Sequence, residues 1–498
     1  MEARFVRGAF WSVVGTIISQ TLRMVSTIVA VRLLGRFQYG QLGMIYSTVE
    51  ALGIFAGIGL GLTAIKHVAE LRTTDPSRAG RILGLSFFVA IGSGTLVTFL
   101  AFVSAPMIVS RFLNAPDLLV EFRLACFLLF LNTILGLQGG ALSGFEAFKV
   151  LSRVNLIRGL LNFPILIFCV WRFGLLGAIL AETVICIVCL GLNHVALMRE
   201  CAKANLVMSL RGCSSDFPIL WTFALPALLN AVLVAPVIWL CNTILVNQPG
   251  GYGEMGLLGV GHQWRTFLMF LPSIFLHVTL PILSSTSRSS TREDHDRILL
   301  LTQSLSMSAV IPAGVLLMFG AGLLMKLYGE AFAAGDIVLI GIVATVMIQS
   351  IGAVGGPLIQ SQGKMWFGFV QNLSWGVLLI AIVRVFGPSQ GAKALAFGSA
   401  FSYVVLTIWT YIYLSKDLPE GFLKRVLVSL AYLVLTTALC ILMPAKYRIF
   451  FAVPMALLTA YVTFFVLAPP EFRQQVSRFA CRLPALRGLG LSRVLSKL

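Results

Sequence analysis

Runs of roughly twenty consecutive apolar residues, separated by short polar segments, recur along this sequence from residue 10 to residue 468. A hydrocarbon core about 30 Å thick is spanned by about twenty helical residues, so each run has the length of one crossing. Inside a bilayer every backbone amide and carbonyl must be bonded within its own segment, which leaves the α-helix as the form for such runs. The expected fold is an all-α polytopic membrane protein with about fourteen transmembrane helices. They are placed near residues 10–31, 42–62, 83–109, 122–143, 156–172, 174–197, 219–246, 257–283, 298–325, 336–358, 366–386, 391–414, 426–443 and 449–468. Only 11% of residues are charged, against about a quarter in soluble domains, so a long soluble domain is excluded.

The net charge of +18 would point to nucleic acid in a soluble protein. Here it follows membrane topology instead. With the N-terminus cytoplasmic, the inner segments hold 25 Lys and Arg and the outer segments ten, the asymmetry expected of a multi-pass protein. Both termini are therefore expected in the cytoplasm, with no nucleic-acid partner. The first apolar run exceeds a signal-peptide core and is read as a retained helix. Nine cysteines are scattered, and Cys186-x-x-Cys189 within a helix is read as packing, not as a metal or redox pair.

An internal repeat sets the domain organisation. Tyr39-Gly40-Gln41-Leu42-Gly43 returns as Tyr252-Gly253-Glu254-Met255-Gly256, 213 residues later, and Gly139-Gly140 returns as Gly355-Gly356 at an offset of 216. The offset spans six helices, so the halves share one orientation and are related by an axis along the membrane normal. The expected parts are an N-terminal lobe of helices 1–6 (residues 1–210), a C-terminal lobe of helices 7–12 (211–416), accessory helices 13–14 (417–470) and a basic cytoplasmic tail (471–498). Such a repeat places a substrate path between the lobes.

Ionisable side chains within a bilayer are costly and usually line a pathway or pair with one another. Thr16, Gln20, Arg23 and Thr27 fall on one face of helix 1, and Tyr46, Glu50, Gly53 and Gly57 on one face of helix 2, with Lys66 beyond its end. Glu50 reads either as a cavity residue or proton carrier, or as a counter-ion to Arg23. His262 and Arg265 lie three apart on helix 8. Arg265 lacks an acidic neighbour in its own lobe and is read as an anion ligand. Glu182, Cys186, Cys189 and Asn193 form a stripe on helix 6, and Gln349, Gly352, Gly356 and Gln360 another on helix 10, both read as packing seams. Pro218, Pro226, Pro236, Pro272 and Pro281 bend helices 7 and 8.

Several segments resemble the polysaccharide and O-antigen flippases. They are Gly8-x-Phe10-Trp11-Ser12, Arg32-Leu33-Leu34-Gly35-Arg36-Phe37-Gln38-Tyr39-Gly40, and Gly57-Ile58-Gly59-Leu60-Gly61 leading to Lys66. Similar stretches are Gly136 to Lys149, Trp264 to Pro281, and Tyr328-Gly329-Glu330-Ala331-Phe332 through Gly363. These flippases belong to the multidrug, oligosaccharidyl-lipid and polysaccharide exporter superfamily. The resemblance implies two six-helix lobes around a central cavity, with two added C-terminal helices. It also implies export of an undecaprenyl-diphosphate-linked oligosaccharide to the outer leaflet of a bacterial inner membrane. Membrane lipids and polysaccharide-assembly proteins such as a polymerase are the partners it implies.

On this resemblance Arg23 and Arg265 fall on helices that line the cavity and would hold the diphosphate, with Lys66 and Arg384 near its ends. Gln20, Glu50, Glu182 and His262 are the remaining cavity or coupling candidates. No cofactor is expected; no Walker motif is present, which leaves protons or sodium ions as the candidates for coupling. Two rivals stay open: a multidrug cation exporter of the same superfamily, which would favour an acidic, aromatic-lined cavity and against which Arg23 and Arg265 argue, and a membrane polymerase or ligase. Against the enzyme, the outer loops are short and no acid–base pair lies outside the helices.

Overall fold

A computed structural model describes residues 2–57, 59–210, 232–286, 292–362, 364–469 and 472–473. Among the described residues are fifteen α-helices and no strand. They are α1 (Glu2–Gly57), α2 (Leu60–Leu71), α3 (Pro76–Met107), α4 (Leu119–Gly144), α5 (Phe148–Lys203), α6 (Val234–Val246), α7 (Gly251–Thr286) and α8 (Arg292–Phe319). The remainder are α9 (Ala321–Lys326), α10 (Asp336–Ile351), α11 (Gly355–Ser361), α12 (Met365–Gln390), α13 (Ala392–Tyr413), α14 (Phe422–Leu442) and α15 (Ala445–Tyr461). Nine of the described helices are long and apolar enough to cross a bilayer, ten with the bent pair α1–α2.

Two helices are double crossings. The 56 residues of α5 would reach about 84 Å at about 1.5 Å per residue, far beyond a core of about 30 Å. At Gly174 (φ 58°, ψ −131°) the helix breaks, and the chain folds back far enough for Arg158 and Glu182 to meet at 2.5 Å. α1 breaks in the same way at Gly35 (φ 74°). A residue with a Cβ is strained at either φ, so each turn is built on glycine. With both halves of α1 and α5 counted, and α7 added, the described helices approach the fourteen expected crossings.

One expected loop is helical. Residues 63–82 carry frequent charges and read as a cytoplasmic connection, yet α2 runs through them as far as Leu71 with Leu60, Thr63, Ala64 and Val68 buried. It stands at 46° to α1, and Asp75 caps the helix that follows by accepting a bond from the Arg78 amide at 3.0 Å.

The chain divides into two compact units, Met1–Gly256 and Leu257–Leu498. Residues 211–231, where the sequence places the junction of the repeats together with Pro218 and Pro226, lie outside the described residues, as does the basic tail from residue 474. In the first unit α5 packs along α1 and α4, and α4 along α3 and α2. Gly140 and Gly144, four residues apart on α4, face α2. A Cβ on Gly140 would run into the backbone of Gly61, and one on Gly144 would lie 2.9 Å from the Ile65 carbonyl. Small residues at this spacing let two membrane helices touch backbone to backbone.

In the second unit α10 is almost wholly buried and packs against α8, α13 and α14. Where α10 ends, the freed Ile351 carbonyl accepts bonds from Gln303 Nε2 (3.2 Å) and the Tyr411 hydroxyl (2.9 Å), as a helix end away from water requires. Asp336, opening α10, accepts a 2.8 Å bond from Arg448 on α15. Large apolar side chains such as Phe88, Phe99, Leu435 and Phe450 point outward, the surface expected against lipid tails.

Candidate functional site

The breaks at Gly35 and Gly174 assemble the charged centre of the first unit. Arg23 and Tyr46, on opposite halves of α1, both come under the electrostatic influence of Glu182 on α5. Glu182 Oε1 accepts a 2.5 Å bond from Arg158 Nη2, and Arg158 also acts on Arg23. Arg23 itself donates to Gln20 Oε1 at 2.7 Å. The result is two guanidiniums and one carboxylate within a membrane bundle. α1 and α5 are drawn together beside this cluster by the bond from Ser19 Oγ to the Asn155 carbonyl (2.8 Å), where Gly159 gives Ser19 room.

Glu182 is also one wall of a cavity of about 720 Å³. The second half of α1 contributes Tyr46, Glu50, Gly53 and Gly57, the same four residues that share one face in the sequence pattern. α4 contributes Leu128, Leu129, Asn132, Thr133, Gly136 and Leu137, and the turn into α2 contributes Gly59, Leu60, Gly61 and Leu62. Glu50 is exposed to this space and forms no ion pair among the described residues. Its role as counter-ion to Arg23 is not seen here; Arg23 is bonded to Gln20 and neighboured by Glu182. Among the described residues the cavity lining holds two carboxylates and no Lys, Arg or His.

The expected site residues therefore separate. Gln20, Arg23, Glu50 and Glu182 gather in the first unit around the cavity and its adjoining cluster. Lys66 is exposed on α2 and is not part of the lining. His262 and Arg265 are partly buried neighbours on α7, and Arg384 is exposed on α12, all within the second unit. Of the helix 6 stripe, Glu182 faces the cavity while Cys186, Cys189 and Asn193 are buried. Cys186 and Cys189 are free thiols within the packing. No group of three or more His, Cys, Asp or Glu among the described residues is arranged to hold a metal ion.

Arg158 was missed in the sequence because it lies at the edge of the apolar run 156–172 and counts there with the inner loop. An unpaired Glu182 in the next run was the available signal, since a buried carboxylate calls for a cation.

A second feature joins the repeat-related segments. The two Tyr-Gly-x-x-Gly motifs lie against each other: Gly40 packs on the Tyr252 carbonyl and Gly256 on the Arg36 carbonyl. Arg36 pairs with Glu254 at 2.6 Å and donates to the Gly253 carbonyl at 2.8 Å. Around this clasp, Trp239 Nε1 donates to Thr48 Oγ1 (3.0 Å), Asn242 Nδ2 to Ser47 Oγ (2.9 Å) and the Tyr252 hydroxyl to the Leu113 carbonyl (2.7 Å).

Comparison with known proteins adds the following. The family described as polysaccharide biosynthesis protein matches residues 5–287. The EPS I polysaccharide export inner membrane protein EpsE of Ralstonia nicotianae is 21% identical over 389 residues, 76% of this chain and 86% of that protein. Its counterpart in Ralstonia solanacearum is 20% identical over 198 residues, 39% of this chain and 45% of that protein. Among solved structures, the lipid II flippase MurJ in an inward closed conformation has a TM-score of 0.68 at 11% identity, covering 94% of this chain and all of that one. An inward-facing multidrug resistance MATE family transporter of the MOP superfamily has a TM-score of 0.67 at 14% identity, covering 82% of this chain and 98% of that one. These likenesses show a MOP-type helical fold.

Proposed function

This chain belongs to the polysaccharide biosynthesis protein family, and from that premise we propose that it is a flippase for an undecaprenyl-diphosphate-linked oligosaccharide. It moves the headgroup from the cytoplasmic to the outer leaflet of a bacterial inner membrane while the lipid tail stays in the bilayer. The observation that carries this reading is the cavity of about 720 Å³ within a membrane bundle, a volume in the range of small-molecule sites, bordered by ionisable groups that a purely structural bundle has no reason to keep. The export role named for EpsE and the flippase role named for MurJ support it.

In this reading the two repeats rock about the substrate. The ion pair Arg36–Glu254 then clasps one end of the path and must part when that end opens. Arg23 and Arg265 are the diphosphate ligands, assisted by Lys66 and Arg384. Glu50 and His262 are the groups through which a proton or sodium gradient is coupled, and both termini face the cytoplasm. No bond of the substrate is made or broken.

The test is a deletion strain. Lipid-linked oligosaccharide accumulates on the cytoplasmic leaflet when the chain is absent, and wild type restores export while the Arg23→Ala/Arg265→Ala variant, present at equal level, does not. An unchanged glycolipid distribution in the deletion strain refutes the proposal. A second reading, export of organic cations, is favoured by one observation, the two carboxylates and the tyrosine that line the cavity among the described residues. Drug resistance conferred on a pump-deficient strain, and lost with Glu50→Gln, would select it.

A further inference from the structure

We propose that the second unit holds a headgroup site for an anionic phospholipid, a pocket in which Arg425 takes the lipid phosphate where α8, α14 and the end of α15 meet. The proposal stands apart from the flippase reading, since it concerns a lipid that the protein keeps and not one that it moves.

The packing leaves a gap there. α15 packs along α8, whereas α14 meets α8 over a short stretch only. A bond of 2.8 Å between the Tyr432 hydroxyl and Thr459 Oγ1 ties α14 to α15. One turn from that tie, Ser429 on α14 and Thr463 beyond α15 line a pocket together with Gln303 and Ser304 of α8 and with Arg425. Thr463 stands in the π-helical turn Val462–Leu467, a widened form of helix that recurs at functional sites.

The hydrogen bonds already made decide what the pocket can take. Gln303, Ser304, Ser429 and Thr463 are buried. Ser429 donates its hydroxyl to the Arg425 carbonyl (2.8 Å) and Thr463 to the Thr459 carbonyl (2.9 Å). Gln303 gives one N–H to the Ile351 carbonyl (3.2 Å) and keeps the other. The Ser304 hydroxyl and the Arg425 guanidinium have no partner among the described residues. The free groups are therefore mainly donors, and Arg425 adds five N–H groups and a permanent charge. Such a charge at the membrane is held by an anion. Among the described residues no acid lines the pocket, and Asp296, one turn before Leu300 on α8, forms no ion pair. Residues 474–498 contain no Asp or Glu.

Size and place select the anion. The enclosed space is about 10 Å³, room for one oxygen atom the size of a water. A phosphodiester meets that limit by inserting one non-bridging oxygen, which accepts from Arg425, Ser304 and Gln303, while the rest of the headgroup stays outside. Leu427 and Val428 on α14 and Val466 on the π-helical turn are exposed apolar surface along which acyl chains can lie. One arginine matches the single charge of a phosphodiester. On the topology proposed above, this end of the three helices meets the cytoplasmic leaflet, where basic pockets between helices bind anionic headgroups. A lipid seated there fastens α14 to α8 and α15.

The experiment measures lipid binding to full-length, delipidated protein in detergent by native mass spectrometry, with thermal unfolding as a second readout. The probes are dioleoyl phosphatidylglycerol, dioleoyl phosphatidylcholine, inorganic phosphate and undecaprenyl diphosphate. Wild type binds phosphatidylglycerol about tenfold or more tightly than phosphatidylcholine, and phosphatidylglycerol raises its Tm. Arg425→Gln weakens phosphatidylglycerol binding by about tenfold or more, the effect of losing a bond to a charged group, and removes the gain in Tm. Ser304→Ala, a smaller change, weakens it by about two- to tenfold, the effect of losing a neutral bond. Lys424→Gln removes a neighbouring exposed charge and leaves binding unchanged. The proposal is overturned if the two phospholipids bind equally, if Lys424→Gln costs as much as Arg425→Gln, or if inorganic phosphate competes with phosphatidylglycerol at equal concentration. It is overturned as well if undecaprenyl diphosphate displaces phosphatidylglycerol and loses its own binding in Arg425→Gln, which would give the pocket to the transported lipid. Phosphatidylglycerol bound as described by a protein that flips no glycolipid overturns the flippase reading alone.

Discussion

Arg448 lies on α15 with its side chain 7% exposed, and its partner Asp336 at the start of α10 is 17% exposed. The guanidinium makes three bonds: Nη1 to Asp336 Oδ2 at 2.8 Å, Nε to the Met443 carbonyl at 2.9 Å and Nη2 to the Ile441 carbonyl at 3.2 Å. Asp336 Oδ1 also accepts from the Ile337 amide at 2.7 Å, where the positive end of a helix favours a carboxylate. Asp336→Ala removes one charge and strands the other, which costs about 3–5 kcal/mol at a buried pair. For a unit of this size each kcal/mol shifts Tm by about 2–4 °C, so a fall of about 6–20 °C follows. Replacing both, Asp336→Leu with Arg448→Met, leaves no stranded charge and forfeits mainly the two carbonyl bonds, about 1 kcal/mol each. The double variant is therefore more stable than Asp336→Ala. Thermal unfolding in detergent, followed by exposure of buried cysteines such as Cys440, gives all the values. An Asp336→Ala shift below about 3 °C, or a double variant less stable than either single one, refutes the reasoning that this pair fastens the accessory helices.

Three further outcomes follow from the first unit. Gly140→Val drives a side chain into the Gly61 backbone and lowers stability by about 1–3 kcal/mol, read as Tm, whereas Gly139→Ala, whose Cβ meets nothing within 4 Å, leaves Tm unchanged. Arg36→Cys with Glu254→Cys, at a pair whose side-chain tips meet at 2.6 Å, is bridged by a bis-methanethiosulfonate reagent that spans the shortened side chains and arrests transport until reductant is added; a fully active cross-linked protein would remove the clasp from the mechanism. The Ser77 hydroxyl and Arg78 amide hold the Asp75 carboxyl below its usual range, so its cap on α3 is fully present above about pH 4 and is lost as pH falls through the depressed value. The protection factor for hydrogen exchange at residues 77–80, after correction for the intrinsic pH dependence of exchange, should fall at acid pH in wild type and stay constant over that window in Asp75→Asn.

The helical membrane architecture was legible because hydrocarbon imposes one rule on every segment, and apolar runs of crossing length report it directly. The face Tyr46, Glu50, Gly53, Gly57 was legible for the same reason: helical periodicity holds whatever the helix packs against, and all four residues do line the cavity. α2 was not legible, since Lys66, Glu70 and Arg72 mask a buried stripe of only four residues. The fold-back at Gly174 was legible to within a residue, since the apolar runs 156–172 and 174–197 leave only Phe173 between them. Arg158 stands in the first turn of the run 156–172 and reads there as an ordinary cation at the membrane edge. Its importance comes from the meeting with Glu182, 24 residues away, a contact that depends on the tightness of the turn and not on any local pattern. Gly140 and Gly144, four residues apart, carried a packing signal, of which only Gly140 entered the reading, as part of the repeat marker Gly139-Gly140.

The central claim is transport of a lipid-linked oligosaccharide across the bilayer, and the most direct measurement is the leaflet accessibility of a fluorescent undecaprenyl-diphosphate oligosaccharide in proteoliposomes. With wild-type protein, glycolipid from the inner leaflet becomes accessible to an external quencher, and the Arg23→Ala/Arg265→Ala variant at equal density leaves it protected. Glycolipid that stays protected in wild-type vesicles, while an organic cation crosses them, would contradict the account.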